Sequence, residues 1–365
     1  LQCQVQHSSI DRISTLSDEI LLFILSLLTL EDAAKTSILS RRWRHLWSFT
    51  PTLDFDVKTS SVPLSMSFTG ALERALEDQR RNYVRWVDSV IMSHKAYTVE
   101  KFRLFFNLTK LHQQRIDEWL RHALARKVRT LELDLTNDCC RKGHEYYQCY
   151  TFPYELLRDD SVDFKFLEKL CTHYVNVKCE AVEFFLRNCP RLEHLSICRS
   201  GDLKTLKIIR PFPALKRVEI SLCHALESFE IRDAGVVYLK YEGKKIRPFV
   251  LENVSLLTQL CIEGSLTYSM ADVLSLFSSL LPQLEYLRIF NDIGSFSMEE
   301  SELFYSGAKL TNLKELVVKY WAGSEHSWLP LANFIRAAPY LDFSKLLHCK
   351  LFLIYLILTF LQFLS

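Results

Sequence analysis

The amino-acid sequence predicts an α/β protein in which a three-helix N-terminal module precedes a solenoid of stacked repeats with parallel strands on its concave face. Three observations predict this architecture. An apolar segment near the N-terminus carries helix-start signals, a leucine-based pattern recurs in the second half of the chain, and short apolar strands alternate there with helical stretches. At 365 residues the chain is long enough for both parts.

The composition is that of an ordinary folded protein without a bias toward nucleic acid or membranes. Hydrophobic residues make up 48% and charged residues 24%, and the formal net charge is +2. The 11 cysteines are scattered and no hydrophobic leader is seen near Leu1, so we expect reduced thiols in a protein of the nucleus or cytoplasm. Because the first residue is Leu rather than Met, we expect a fragment or a partial translation.

Residues 11–50 predict the helical module. Ser17, Thr29 and Ser40 stand before three short segments, and their hydroxyl groups can cap the free amides at the helix starts. The third segment runs to Trp47. The sequence therefore predicts three capped helices within about forty residues.

The first of these helices is apolar on more than one side. Ile20 to Leu28 are all apolar except Ser26, whereas a helix on the surface of a small domain should have one apolar stripe and one wet face. One stripe comprises Ile20, Ile24, Leu27 and Leu28. The opposite side comprises Leu21, Leu22, Phe23 and Leu25. So small a module cannot bury both sides, and we expect a partner protein or the rest of the chain to cover the excess.

The segment resembles an F-box, the motif that docks on the small Skp adaptor of SCF-type cullin–RING ubiquitin ligases. The most specific match is Ser-Arg-Arg-Trp-Arg-His-Leu-Trp at residues 40–47. Further matches are Leu16, Asp18, Glu19, Ile20, Leu21, Ile24, Leu25, Leu28, Ala33, Ala34, Ser37 and Leu39. One departure is Ser17, because the family usually has Leu-Pro at Leu16-Ser17. The resemblance implies that the adaptor-binding residues are Leu16, Ile20, Ile24, Leu27, Leu28, Ala33, Leu39, Trp43 and Trp47.

Residues 127–341 predict leucine-rich repeats, and residues 51–126 predict a helical spacer or the start of the repeat region. The pattern L-x-x-L-x-[LIV], with Val, Phe and Tyr substitutions, begins at Leu192, Leu203, Leu215, Leu226, Val236, Leu257, Leu284 and Leu313. The spacings of 23 residues from Leu192 to Leu215 and of 29 from Leu284 to Leu313 lie within the range of such repeats. Each unit supplies one strand to a concave parallel sheet, with outer helices around Phe185 and Phe277.

Residues between the inward-pointing apolar positions predict a protein-binding face on the concave sheet, although any single one can be simply a solvated strand residue. They are Thr205, Lys207, Arg217, Glu219, Glu230, Tyr238, Lys240, Tyr286 and Arg288. Mixed charge with tyrosine suits protein recognition better than a small-molecule pocket. The whole arrangement resembles plant F-box/LRR proteins of the FBD-like group, and residues 328–339 resemble that group's C-terminal region.

The last segment, residues 342–365, is a hydrophobic tail that breaks the repeat pattern. From Leu346 onward a transmembrane helix, a helix that caps the solenoid and a translated non-coding stretch are all open interpretations. The third is favoured, because Leu, Phe and Ser are largely encoded by pyrimidine-rich codons. Genuine anchoring by this tail would place the protein at a membrane.

The sequence contains no G-x-S-x-G, P-loop, G-x-G-x-x-G or H-E-x-x-H motif. Zinc binding by Cys139, Cys140, His144, Cys149 and His173 is disfavoured by their spacing. We therefore predict no enzyme activity, metal or cofactor. The resemblance implies a substrate-recognition subunit that joins the Skp adaptor, and through it the cullin, to an unknown target protein, with no nucleic-acid partner. The alternative is an LRR scaffold outside any ligase, with or without a membrane anchor.

Overall fold

The computed structural model describes residues 13, 15–56, 70–135, 149–159, 162–264, 270–291, 310–320 and 338–342. The α-helices in these ranges are α1 (Asp18–Ser26), α2 (Leu30–Lys35), α3 (Gly70–Ser93), α4 (Gln113–Leu124), α5 (Cys179–Asn188) and α6 (Met270–Leu276). Short 3-10 helices are Thr36–Ile38, Trp43–Phe49, Lys110–His112, Tyr154–Arg158, Phe164–Phe166 and Leu281–Gln283.

The described strands are short and most have five residues. They are β1 (Thr52–Asp56), β2 (Lys101–Phe105), β3 (Thr130–Asp134), β4 (Tyr150–Thr151), β5 (Lys169–His173), β6 (Val175–Asn176), β7 (His194–Cys198), β8 (Thr205–Ile209), β9 (Arg217–Ser221), β10 (Ser228–Arg232), β11 (Tyr238–Glu242), β12 (Phe249–Glu252), β13 (Gln259–Gly264), β14 (Tyr286–Asn291) and β15 (Glu315–Tyr320).

Ten of the described strands form one parallel sheet, called here the main sheet, in the order β1-β2-β3-β5-β7-β9-β11-β13-β14-β15. Its strands alternate between buried and solvent-facing positions, because successive side chains of a strand point to opposite faces. On β7, for example, Leu195 and Ile197 are buried while His194 and Ser196 face outward. The predicted α/β fold, a helical module followed by a parallel-stranded repeat solenoid, is confirmed.

Three further strands form a second sheet in the order β12-β10-β8, and the sequence did not predict this layer. Its inward side chains join the core beneath the main sheet, where Phe229 on β10 packs edge-on against Tyr241 on β11 with ring centroids 5.9 Å apart. The coil from Arg217 to Tyr238 spans 21 residues and has a strand as its outer element, whereas the coil from Gln259 to Tyr286 spans 27 and contains α6. Shorter coils leave less chain for an outer helix.

Elsewhere the described elements outside the main sheet are helices and a two-stranded parallel sheet formed by β4 and β6. The helix predicted around Phe185 is α5, and the helix predicted near Phe277 is α6, which ends one residue before it. Segment 51–126 contributes β1 and β2 to the main sheet, together with α3 and α4 outside it. The repeat solenoid therefore begins directly after the N-terminal module.

The N-terminal module contains α1 and α2 as predicted, but its third segment is the 3-10 helix Trp43–Phe49 rather than an α-helix. Thr29 caps α2, since its hydroxyl accepts the Asp32 N–H at 3.1 Å. Ser17 stands at the N-cap of α1, yet its side chain makes no capping hydrogen bond, so that prediction is wrong.

Arg42 ties the end of the module to its beginning. Its guanidinium donates to the Asp18 carboxylate at 2.5 Å and to the Leu16 carbonyl at 2.6 Å. The arginine thus holds the 3-10 helix against the start of α1. This contact gives Arg42 a structural role within the basic run at residues 41–44.

Two predicted segments lie outside the described residues, namely 328–337 of the FBD-like region and the tail from residue 343 onward. Within the ranges that the structure does describe, no helix combines the length and apolar character needed to span a membrane.

Candidate protein-binding surfaces

Helix α1 presents an uncovered apolar face to solvent. Its members, called here the α1 patch, are Ile20, Phe23, Ile24 and Leu27. Their spacing of three and four residues places them on one side of the helix. Phe23 is 64% and Leu27 71% exposed. Neither the module nor the described part of the solenoid covers this face.

The opposite side of α1 packs into a small core of its own, formed by Leu21, Leu25, Ala33, Trp43 and Leu46. The sequence pattern groups Phe23 with Leu21, Leu22 and Leu25, whereas the structure places Phe23 on the exposed face. Ala33 and Trp43, predicted as adaptor contacts, are buried in this core and cannot offer their side chains to a partner. Their role in the structure is to support α1.

The other predicted adaptor-binding residues differ in exposure. Leu16 packs against the edge of the small core, and Trp47 is shared between this core and that of the solenoid. Leu28 lies beside the α1 patch and is partly exposed. Leu39 is exposed together with its neighbour Ile38, which is 88% exposed and was not predicted.

The module is joined to the solenoid by polar contacts as well as by Trp47. The Lys95 N–H donates to the Ser48 carbonyl at 2.8 Å. His94, which is buried, lies 3.1 Å from the Thr50 carbonyl through Nε2 and 3.2 Å from His122 Nε2 through Nδ1. Because the carbonyl can only accept, His94 Nε2 carries the proton, and Nδ1 accepts from His122.

The solvent-facing side of the main sheet carries six of the nine predicted target-binding residues. They are Arg217 and Glu219 on β9, Tyr238 and Lys240 on β11, and Tyr286 and Arg288 on β14. Strand β13 lies between β11 and β14 and connects the set. We call these six residues the recognition face.

Arg217 organises one half of the recognition face. Its guanidinium lies over the Tyr238 ring at 3.5 Å from the centroid and pairs with Glu219. His194 on β7 is 3.2 Å from the same carboxylate. Burial opposes ionisation of Glu219, but His194 and Arg217 outweigh it and lower its pKa to about 2.

Glu263 organises the other half, and the sequence prediction missed it. This carboxylate is only 8% exposed and lies 3.3 Å from Lys240 and 2.5 Å from Arg288. It occupies the outward position directly after Ile262, the last residue of the repeat pattern that begins at Leu257. Because side chains alternate along a strand, the outward position that follows Gln259 and Cys261 on β13 is Glu263.

Thr205, Lys207 and Glu230 do not belong to this surface, which corrects the sequence prediction. They lie on β8 and β10 of the second sheet. The inward residues of both sheets meet in one core, so the outward residues of the second sheet face away from the recognition face. The structure separates these three residues from the other six.

The two parts of the chain match two families of known proteins. Residues 161–349, more than half of the chain, match the family described as At1g61320/AtMIF1, LRR domain. Residues 13–51 match the F-box domain. The chain belongs to the F-box/LRR-repeat family.

Its relatives include three Arabidopsis thaliana proteins. F-box/LRR-repeat protein At3g26922 is 29% identical over 69% of this chain and 82% of its own length. F-box/FBD/LRR-repeat protein At3g52680 is 28% identical over 85% of this chain and 68% of its own. F-box/FBD/LRR-repeat protein At5g22660 is 27% identical over 57% of this chain and 45% of its own. These relatives carry the F-box, LRR and FBD names that the sequence resemblance implied.

An F-box domain generally binds Skp-type adaptors in SCF complexes, and F-box/LRR proteins are typically non-catalytic adaptors. Among the residues that the structure describes, no group of three or more His, Cys, Asp or Glu side chains is arranged to hold a metal ion. Of the five residues whose spacing disfavours zinc binding, Cys139, Cys140 and His144 lie outside the described ranges.

Proposed function

We propose that this chain is the substrate-recognition subunit of an SCF-type ubiquitin ligase. The observation that carries the proposal is the α1 patch, an apolar helix face in an F-box domain that the described residues leave uncovered. Exposed apolar patches mark interaction sites, because burial of each large side chain is worth about 1.5–3 kcal/mol. Ile38 and Leu39 add a second exposed apolar pair to the same module.

The recognition face, which lies further along the solenoid, selects the target. The recognition face combines two tyrosines with charges that already pair with one another, so a target must match their arrangement to avoid leaving charges unpaired. Ubiquitin transfer itself belongs to other subunits. This chain supplies proximity, by holding the target at high effective concentration near the charged conjugating enzyme.

Adaptor binding is tested with the double variant Phe23→Asp and Leu27→Asp. Both side chains are exposed, so the charges leave the small core intact but must be desolvated in a docked complex. Co-purification with a recombinant Skp-type adaptor should fall at least about 100-fold, which corresponds to about 2.7 kcal/mol.

Met92→Asp with Leu111→Asp is the matched control, because these exposed apolar residues lie outside the module. The control should bind the adaptor like the unmodified chain. Undiminished adaptor binding by the Phe23 and Leu27 variant would refute the proposal and favour a scaffold role outside the ligase.

Target selection is tested by changing Tyr238 and Tyr286 to Ala on the recognition face. The control is Lys207→Ala with Glu230→Ala on the second sheet. Ubiquitinated proteins that co-purify from plant cells treated with a proteasome inhibitor should be lost with the tyrosine variant and kept with the control. Loss with the Lys207 and Glu230 variant alone would place target binding on the second sheet and contradict this proposal.

The proposed site of action is the nucleus, the cytoplasm or both, because 11 scattered cysteines are typical of a protein of a reducing compartment. Fractionation of the full chain and of a chain lacking residues 346–365 tests this. Equal distribution of the two supports the proposal, and a membrane pool that disappears with the deletion supports tail anchoring instead.

A further inference from the structure

Three adjacent strands of the main sheet place a carboxylate, an imidazole and a thiol side by side. Asp134 ends β3, His173 ends β5 and Cys198 ends β7. The parallel registers pair Asp134 with His173 and His173 with Cys198. All three occupy outward positions, and none was selected from the sequence as a functional residue.

The contacts join these groups in order. His173 Nδ1 lies 3.2 Å from the Asp134 carboxylate, and the imidazole also hydrogen-bonds the Cys198 thiol. Burial opposes protonation of His173, but the contacts with Asp134 and Cys198 outweigh it and raise its pKa to about 9. A histidine held between a carboxylate and a thiol is an arrangement that activates cysteine nucleophiles, since the protonated imidazole stabilises the thiolate.

Cys198 is half-buried, and the residue beside it on β9 is the small Ser221. Arg199, which follows Cys198 with φ 55°, turns the chain at this point and stacks over the Tyr174 ring at 5.0 Å from the centroid. Cys198 therefore lies, partly exposed, at the end of a strand.

Other cysteines provide the contrast within the same molecule. Cys171 lies two residues before His173 on β5, but burial raises its pKa to about 12. Burial likewise raises the pKa of Cys189 to about 12 and that of Cys223 to about 11. These thiols stay protonated and unreactive at neutral pH.

We propose that Cys198 is a redox-active thiol that reacts with hydroperoxides. His173 activates the thiol, and Asp134 orients the imidazole of His173. The thiol proton is released to solvent, and the thiolate, stabilised by protonated His173, attacks one peroxide oxygen. The S–O bond forms as the O–O bond breaks, and the leaving oxygen takes a proton from His173 and departs as water from hydrogen peroxide or as an alcohol from an organic hydroperoxide. Sulfur is oxidised by two electrons to sulfenic acid while the peroxide is reduced.

This chemistry is independent of the proposed ligase function. Cys198 lies on the same side of the main sheet as the recognition face, with β9 next to it. An effect of sulfenic acid on target choice would therefore rest on the proposed function, whereas the oxidation itself would not. Adaptor binding through the α1 patch should be the same before and after oxidation.

The test treats the full chain with hydrogen peroxide in the presence of dimedone, which traps sulfenic acid. Trypsin places Cys198 in peptide 192–199 and Cys171 in peptide 170–178, so mass spectrometry follows the two thiols separately. Cys198 should be labelled at least about tenfold faster than Cys171. His173→Gln and Asp134→Asn should each slow Cys198 labelling at least about tenfold.

His194→Gln is the matched control, since it changes a half-buried histidine on β7 that pairs with Glu219 instead. It should leave the Cys198 rate within about twofold, and circular dichroism checks that each variant is folded. If His173→Gln does not fold, the Cys198 labelling rate of the isosteric variant Asp134→Asn tests the proposal instead. Labelling of Cys198 no faster than that of Cys171, or a rate that folded His173 or Asp134 variants leave unchanged, overturns the proposal.

Discussion

Thr172 on β5 is a polar residue in a core position. Its neighbours in register are Leu133 and Ile197, and its side chain points inward like theirs. It is only 2% exposed, and its hydroxyl has no hydrogen-bond partner among the described residues. A buried hydroxyl without a partner costs stability, because it loses its bonds to water and gains none.

Thr172→Val should therefore raise the free energy of unfolding by about 1 kcal/mol, since valine has the same shape without the hydroxyl. Chemical denaturation measures the free energy of unfolding of Thr172→Val and of a matched control, Thr130→Val on the outward side of β3. The outward change should stay within about 0.5 kcal/mol of the unmodified chain. A decrease in stability for Thr172→Val would mean that its hydroxyl has a favourable contact.

At the scale of single side chains, sequence reasoning found outward positions but not their partners. Arg217, Glu219 and Tyr238 were selected because they alternate with buried residues, and they contact one another on adjacent strands. The line of Asp134, His173 and Cys198 was missed, since register across three strands cannot be read from residues 39 and 25 positions apart. Contacts between residues on different coils can be identified only once the fold is known.

At the scale of elements, the repeat pattern identified strands but not the layer to which each belongs. Leu206 and Ile208 on β8 are buried in the same core as Leu195 and Ile197 on β7, so both strands produce the same L-x-x-L-x-I pattern. The available signal was the spacing. Pattern starts at Leu192, Leu203 and Leu215 lie about half a coil apart, which is typical of two strands in each coil rather than one.

The junction between the module and the solenoid should respond to acid. Burial lowers the pKa of His94, and burial with nearby Arg126 lowers that of His122 to about 4. Unfolded histidines titrate near pH 6.5, so between pH 6.5 and about 4 the unfolded chain binds protons that the folded chain does not. Folding stability at this junction is therefore full above pH 6.5 and falls as the pH drops toward 4.

Thermal unfolding of the full chain and of His122→Gln at several pH values tests this junction. The melting temperature of the unmodified chain should fall more steeply between pH 6.5 and 5 than that of the variant. Parallel curves would show that the histidine pair does not titrate in this window.

At the scale of the whole molecule, the two proposed interaction surfaces are carried on one continuous frame. The module rests on the first coil through Trp47 and the His94 contacts, and the main sheet extends from β1 to β15. The α1 patch lies at one end and the recognition face further along the solenoid. Such a frame suits a receptor that must hold its target at a fixed distance from the rest of a complex.

Hydrogen–deuterium exchange of the full chain with and without a recombinant Skp-type adaptor tests the central claim most directly. Amide exchange should slow at residues 18–28 and 36–39, where the uncovered apolar side chains lie, and stay unchanged along β9, β11 and β14. Unchanged exchange in α1, with slowing confined to the repeats, would contradict adaptor docking on this face.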